Sequence, residues 1–412
     1  MKKPELLAPV GSFESLHAAI RAGADAIYFG VEQLNMRTKS VPTITIDDLE
    51  EIANVCKSHN IKAFLTLNTV MYDHDMQLGR KIVRKCKEVG IDAIIASDFA
   101  VFEMCRSEDM PLHISTQANV SNIESVSFFS SMADVIVLAR ELTVKQVAHI
   151  TSEIKRRNLR GKSGELMKIE TFVHGALCMA VSGKCYMSLH EKNASANRGA
   201  CVQNCRRPYK VTDLETGNEM VIDNEYIMSP KDLCTIHIMD ELIRADIDVF
   251  KIEGRSKSAE YVYTTTKCYR EAIDAVIDGT YSEEKVDGWM DELSKVYNRG
   301  FWEGYYLGRK LGEWSSIPGS IAKEKKVFIA RCTKYYPKIK IAEFLIETGQ
   351  ITPKDSLLVL GRNTGSDSIT LETLVVNGHP NDVATKGDKI TFPFELPLKE
   401  GDKLYKLIEN HG

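Results

Sequence analysis

Short apolar runs alternate with amphipathic stretches along most of this chain. The runs are Leu6–Val10, Ala26–Val31, Lys62–Asn68, Ala93–Ser97, Leu112–Gln117, Val135–Ala139, Ile169–His174 and Asp248–Gly254. They are apolar at consecutive positions rather than at every second one, as in strands of a parallel sheet covered on both faces. Between the first seven, apolar residues recur at helical spacing, for example over Phe13–Ala22, Ile46–His59 and Met76–Val89. Gly23 and Gly90 stand where a helix should stop, each just before the next strand. Eight such units predict a closed α/β barrel of the triose-phosphate-isomerase type over residues 1–309. An open doubly wound sheet is the alternative, but no GxGxxG follows the first strand.

The repeat is interrupted between its seventh and eighth strands by residues 175–228. This stretch reads as a long loop-rich insertion with a β-hairpin around Tyr209–Ile222. Ser229–Ala245, Ser258–Asp278 and Ser282–Val296 then read as helices. Residues 310–326 read as a linker. Residues 327–412 are rich in short β-branched runs broken by Gly, Pro and Asp, which predicts a small all-β barrel domain.

Charge narrows the range of partners. The formal net charge is −4, so there is no global basic footprint, and a nucleic acid would have to be met by a local patch. The opening MKKPELLAPVGS has too short an apolar run for a signal peptide, and no window approaches a membrane span. The expected location is cytoplasmic. Thiols are kept reduced there, so clustered cysteines point to metal rather than to disulfides.

Five of the ten cysteines fall in and just after the insertion: Cys178, Cys185, Cys201, Cys205 and Cys234. Several thiolates drawn from one loop suit an iron–sulfur cluster or a structural zinc. Cys56, Cys86, Cys105, Cys268 and Cys332 are scattered over helices and a strand and read as packing residues. In a barrel the chemistry sits at the C-terminal strand ends, where polar residues gather: Asn68, Asp98, Gln117, Arg140 and His174. On the eighth strand Lys251, Glu253 and Arg255 alternate and share one face. They either line the mouth or form an ion-pair belt. Arg255, at the very end, suits an anionic ligand. Arg206 and Arg207 read equally well as phosphate contacts or as a solvated basic loop. Hydrolytic motifs are missing: His190-Glu191 has no second histidine at Ala194, Gly161-Lys162-Ser163 has Arg156 in place of the P-loop glycine, and there is no GxSxG.

The stretch ETFVHGALCMAVSGKCYMS resembles the signature of peptidase family U32, the collagenase-like proteases. Glu170, Phe172, Gly175, Ala176, Leu177, Cys178, Gly183, Cys185, Met187 and Ser188 match it. ELLAPVGSFESLHAAIRAGADAIYFG, SPKDLC and FKIEGRSKSAEYV resemble the family as well, so the likeness covers essentially the whole chain. The resemblance implies one of two activities. The first is oxygen-independent hydroxylation of a wobble uridine of tRNA to 5-hydroxyuridine, with prephenate as hydroxyl donor and a 4Fe-4S cluster. The second is the collagenolytic peptidase activity that names the family. A non-catalytic, zinc-stabilised RNA-binding scaffold is a further alternative. The ligands implied for the cluster are Cys178, Cys185, Cys201 and Cys234, with Cys205 able to replace Cys201 or Cys234. A second family member is implied as a hetero-partner. For a dicarboxylate such as prephenate the barrel mouth offers Arg255, Arg140 and Lys251, with His174 as a proton carrier. The β domain and the Arg206–Arg207 loop are then expected to hold the tRNA.

Overall fold

The computed structural model describes the chain apart from residues 32–33, 37–43, 208–211, 213, 218–228, 309–312, 316–318 and 411–412. Strands β1 (Glu5–Pro9), β2 (Ala26–Phe29), β3 (Lys62–Leu67), β4 (Ala93–Ala96), β5 (Leu112–Ile114), β6 (Val135–Val137) and β7 (Lys168–Gly175) pair in sequence order, all parallel. The ring closes through β9 (Val249–Ile252), which pairs in parallel with both β7 and β1. The predicted (β/α)8 barrel is therefore present, and its eight strands are the eight apolar runs of the sequence.

Helices α1 (Phe13–Arg21), α2 (Leu49–Ser58), α3 (Met76–Val89), α4 (Phe99–Ser107), α5 (Ile123–Ser130) and α6 (Val144–Arg156) lie between successive barrel strands. Side-chain caps start several of them: Ser12, Asp98, Asn122 and Thr143 each accept a hydrogen bond from a backbone N–H of the first turn. One apolar core separates helices from strands. A second, smaller one fills the lumen with Leu7, Ala26, Tyr28, Phe64, Ala93, Ile95 and Val249. At the N-terminal rim an aspartate repeats just ahead of a strand. Asp25, Asp92 and Asp248 accept the N–H of Leu6, Ala63 and Ile169 on neighbouring strands at 2.8, 2.7 and 2.8 Å. Each carboxylate works beside a backbone bond between the same two residues, because the N–H groups of Asp25, Asp92 and Asp248 donate to the carbonyls of Leu6, Ala63 and Ile169, so each pair is tied twice.

The stretch after the insertion departs from the expected helix over Ser229–Ala245. Asp232–Cys234 forms a strand, β8, antiparallel to the end of β7, with Gly175 opposite Leu233 and His174 opposite Cys234. Between β7 and β8 lies only one short α-helix among the described residues, α7 (Met187–Lys192). Strand β10 (Phe301–Trp302) pairs with the other edge of β8. The N–H groups of Lys231 and Asp232 go to the carbonyls of Glu313 and Gly300, so distant segments take the backbone groups a helix would have used. Helical structure resumes in a 3-10 turn at Ile236–Ile238 that leads into the short α8 (Met239–Arg244), followed by α9 (Ala259–Ile277) and α10 (Glu283–Lys295). The hairpin expected around Tyr209–Ile222 lies largely outside the described residues; Leu214–Thr216 within it form a turn.

The C-terminal part is antiparallel β. Its main sheet runs in the order Gly365–Thr370, Ser356–Gly361, Lys403–Glu409, Glu324–Tyr336, Ile341–Ile346, Lys389–Pro393, Val375–Val376, His379–Pro380, around a core of its own. Its edge strand packs on α1 and α9. Arg21 donates to the carbonyls of Thr364 and Ser366 at 3.0 and 2.8 Å and to Asp367 at 2.8 Å. Arg362 lies 3.5 Å from the ring centre of Phe13. Among the described residues no helix is long and apolar enough to cross a membrane.

Candidate functional site

The alternation of Lys251, Glu253 and Arg255 sends all three toward the lumen and its mouth, where they line one cavity. Lys251 is buried at its floor and donates to Oε1 of the fully buried Glu170 at 2.6 Å. The other oxygen of Glu170, Oε2, has no hydrogen-bond partner among the described residues. The ammonium lies 4.4 Å from the ring centre of Tyr28 and 5.5 Å from that of Phe172. Burial pulls the Lys251 pKa below its ordinary value; Glu170 opposes the shift, and Arg255 and Arg140 add to it.

Arg255 is buried just past β9. Its Nη1 donates to Thr66 Oγ1 at 2.6 Å and to Asn35 Oδ1 at 3.2 Å. The guanidinium carbon of Arg140, just past β6, lies 3.8 Å from the ring centre of Phe172, and the side chain donates to the carbonyl of Ala176 at 2.9 Å. The Ala176 N–H in turn donates to Glu253 Oε2 at 3.2 Å. Two further arginines line the same cavity: Arg299, on Asp232 at 3.2 Å, and Arg206. Asn68, Ser115 and Gln117 complete the polar wall. A pocket with five cationic side chains around Tyr28 and Phe172 suits a compact anion with an unsaturated or ring-shaped body.

Four thiols face this cavity from the insertion: Cys178, Cys185, Cys201 and Cys205. None is in a disulfide; Cys178 is exposed and the others are half-buried. Burial pushes the Cys205 thiol up, the Arg206 charge pulls it down, and the charges of Cys178, Cys201 and Cys185 push it up again, which marks the four as electrostatic neighbours. Among the described residues, no three His, Cys, Asp or Glu side chains are grouped as a ready-made metal site. Four unbridged thiols lining one cavity and reachable from solvent are the type of donor that a four-cysteine centre takes.

Backbone ties hold the loop there. Arg206 donates to the carbonyls of Leu177 and Pro230, both at 2.6 Å, and to Ser229 Oγ at 3.0 Å. Arg198 pairs with Asp75 and donates to the carbonyl of Val70 at 2.8 Å. Gly183, at φ +77°, approaches Gln117 so closely that a Cβ would lie 2.0 Å from Oε1.

Two sequence-predicted residues lie elsewhere. Cys234 on β8 is fully buried; its Sγ is 3.7 Å from Tyr269 Oη and 3.7 Å from Met290 Sδ, and it does not line the cavity. His174 sits across the ladder from it, packed among Tyr261, Tyr269 and Phe301, with Nδ1 3.3 Å from Tyr269 Oη. Burial holds this imidazole neutral, with a pKa of about 3. Among the described residues no histidine lines the cavity, so a proton carrier there has to be sought in Glu253 or Lys251. Arg206 turns inward to tie the loop, and Arg207 pairs with Glu191; among the described residues, none of the C-terminal domain lines the cavity. Arg299 escaped sequence reading because it follows β8 by many residues and carries no local motif. The cysteines read as packing residues are all buried, and burial pushes Cys56, Cys86 and Cys105 up to about 12.

A family model described as Peptidase family U32 matches residues 11–316. A protein of Porphyromonas gingivalis named collagenase is 48% identical over 402 residues, covering 98% of this chain and 97% of that one. Bacillus subtilis tRNA hydroxylation protein P1 is 34% identical over 314 residues, covering 74% of this chain and 72% of its own. A 23S rRNA 5-hydroxycytidine synthase of Escherichia coli is 34% identical over 319 residues, covering 75% of this chain and 46% of its own.

Proposed function

The chain belongs to peptidase family U32, and from that premise we propose that it is an RNA-modifying enzyme that hydroxylates a pyrimidine of tRNA, forming 5-hydroxyuridine at the wobble position. The observation that carries the reading is the meeting of four thiols with five cationic side chains on one cavity at the barrel mouth. Relatives named for tRNA and rRNA hydroxylation are each 34% identical over about three quarters of this chain. Cys178, Cys185, Cys201 and Cys205 would hold a 4Fe-4S cluster, with Cys205 in the role first given to Cys234. Held there, such a cluster would supply one-electron transfer or a Lewis-acidic iron.

The remaining chemistry falls to the cavity. No side chain can donate an oxygen atom to a pyrimidine C5, so a small donor has to enter. Prephenate, a dicarboxylate with a cyclohexadiene ring, matches the cations and the Tyr28–Phe172 walls. Arg255 and Arg140 orient its carboxylates, and Glu253 is the cavity's proton carrier. The target base has to leave its stack to reach this depth. Tyr186, beside Cys185 and 78% exposed, offers a stacking surface at the rim. Mass analysis of tRNA nucleosides from a strain lacking this gene tests the reading. Loss of 5-hydroxyuridine, restored by the gene, is expected; an unchanged nucleoside profile would remove it.

The 48% identical relative named collagenase supports a second reading, a peptidase. Cleavage of gelatin by purified cluster-free protein, abolished by a cavity substitution, would favour it over the first.

A further inference from the structure

Lys251 is a costly residue to keep at the bottom of a cavity. Its side chain is 5% exposed and its carboxylate partner is at 0%. Removing two charges from water costs several kcal/mol each, and a buried pair repays this only when all its polar atoms are bonded. Here they are not: Glu170 Oε2 is buried without a partner among the described residues. A buried carboxylate oxygen without a partner is uncommon and calls for an explanation beyond packing. Two tendencies compete at the Nζ: burial and the charges of Arg255 and Arg140 pull its pKa below the ordinary value, while Glu170 and the faces of Tyr28 and Phe172 hold the ammonium, so the proton can pass between the amine and Glu170. Desolvation together with neighbouring cations is the environment that makes a lysine nucleophilic toward carbonyl carbon.

We propose that Lys251 forms a Schiff base with the ketone of a 2-oxo acid bound in the cavity. Arg255, Arg140 and Arg299 hold the ligand's carboxylate or carboxylates, which brings a ketone next to the acid group within reach of the floor. Glu170 takes one proton from the ammonium. The freed lone pair attacks the ketone carbon, the C=O π electrons move to oxygen, and one of the two protons now on the positively charged nitrogen passes to that oxygen, giving the neutral carbinolamine. Its hydroxyl leaves with the proton returned by Glu170, as water, and a protonated C=N remains opposite the Glu170 carboxylate. One C–N bond is made, one water is lost, and no oxidant or reductant is consumed. The iminium withdraws electrons from the adjacent carbons, which prepares a 2-oxo acid side chain for bond cleavage. The inference deepens the proposed function, because prephenate carries a 2-oxo acid side chain, and it rests on that reading for the identity of the ligand alone.

The test is reductive trapping. Purified full-length protein is incubated with pyruvate, phenylpyruvate or prephenate in the presence of cyanoborohydride, digested, and mapped by mass spectrometry. The expected result is a mass gain of the acid less one oxygen at Lys251, ahead of all exposed lysines and absent from Lys251→Arg. Labelling that spreads over surface lysines and spares Lys251 overturns the proposal, and this outcome is read on the unsubstituted protein, so it does not depend on the variant folding. Measuring tRNA nucleosides in parallel separates the two readings. Trapping at Lys251 with unaltered tRNA in the deletion strain keeps the Schiff base and sinks the hydroxylase. Gene-dependent 5-hydroxyuridine with no trapping at Lys251 does the reverse.

Discussion

Cys205 and Cys234 show what a single position decides. Both follow the signature and both are within reach of it along the chain, yet one faces the cavity and the other is sealed under Tyr269 and Met290. Spacing could not separate them, because a loop's spacing says which thiols can meet and not which do. Protein purified without oxygen should therefore lose its iron in Cys178→Ala, Cys185→Ala, Cys201→Ala and Cys205→Ala. Cys234→Ala should keep its iron while losing about 1–3 kcal/mol of stability from the small cavity it leaves. Iron and sulfide content with a denaturation curve decides it; an iron-free Cys234→Ala that is still folded would return that residue to the ligand set. Arg255 makes the complementary case. Arg255→Ala should abolish 5-hydroxyuridine in a complemented deletion strain while leaving iron content near that of the parent; the melting temperature should fall by a few degrees, about 1–3 kcal/mol, because the bonds to Thr66 and Asn35 go with it.

At the scale of the element, the barrel was readable because each of its strands is covered on both faces, which leaves an uninterrupted apolar run, and because helices between them keep their period and their caps. β8 was not readable. It is three residues long, and its ladder partners are the end of β7 and a strand far further on (Phe301–Trp302); pairing at that separation leaves no local trace in sequence. The charged residues of β9 were legible as a shared face, though not their partners Thr66, Asn35 and Glu170, which come from other strands and loops. One residue marks where β7 hands the chain to the insertion. Gly175 sits at φ +105°, and a Cβ there would lie 2.4 Å from the carbonyl oxygen of Glu253. Gly175→Ala should cost about 1–3 kcal/mol from backbone strain, and since Ala176 and Cys178 follow at once, it should also lower iron loading. A variant with parental stability and iron content would show that β7 can end in another way.

At the scale of the molecule, the barrel carries two fully buried neutral histidines at opposite ends, His113 near the N-terminal rim and His174 behind the mouth. Burial, with Lys251 nearby for His113, holds both imidazoles at a pKa of about 3 against an ordinary 6.5. The unfolded chain thus binds protons that the folded chain refuses between those values. The stabilisation is complete above about pH 6.5 and is lost as pH falls toward 3, by up to about 1.4 kcal/mol per pH unit for each histidine. Urea midpoints should drop between about pH 7 and pH 5, and His113→Phe, which keeps an aromatic ring against Phe64, should flatten that drop by roughly half. An undiminished slope in the variant would assign the acid sensitivity to other groups. The antiparallel pairing of β7 with β8 has a consequence for the order in which the protein is made. Gly175 and Leu233 sit side by side, so the cysteine-bearing excursion leaves the barrel and rejoins it at almost the same point. Ring closure through β9 then needs only the two ends of that excursion, and not its interior, to be in place. The barrel can therefore close with the thiols still accessible, and the cluster proposed for them could be delivered to a ring that is already complete.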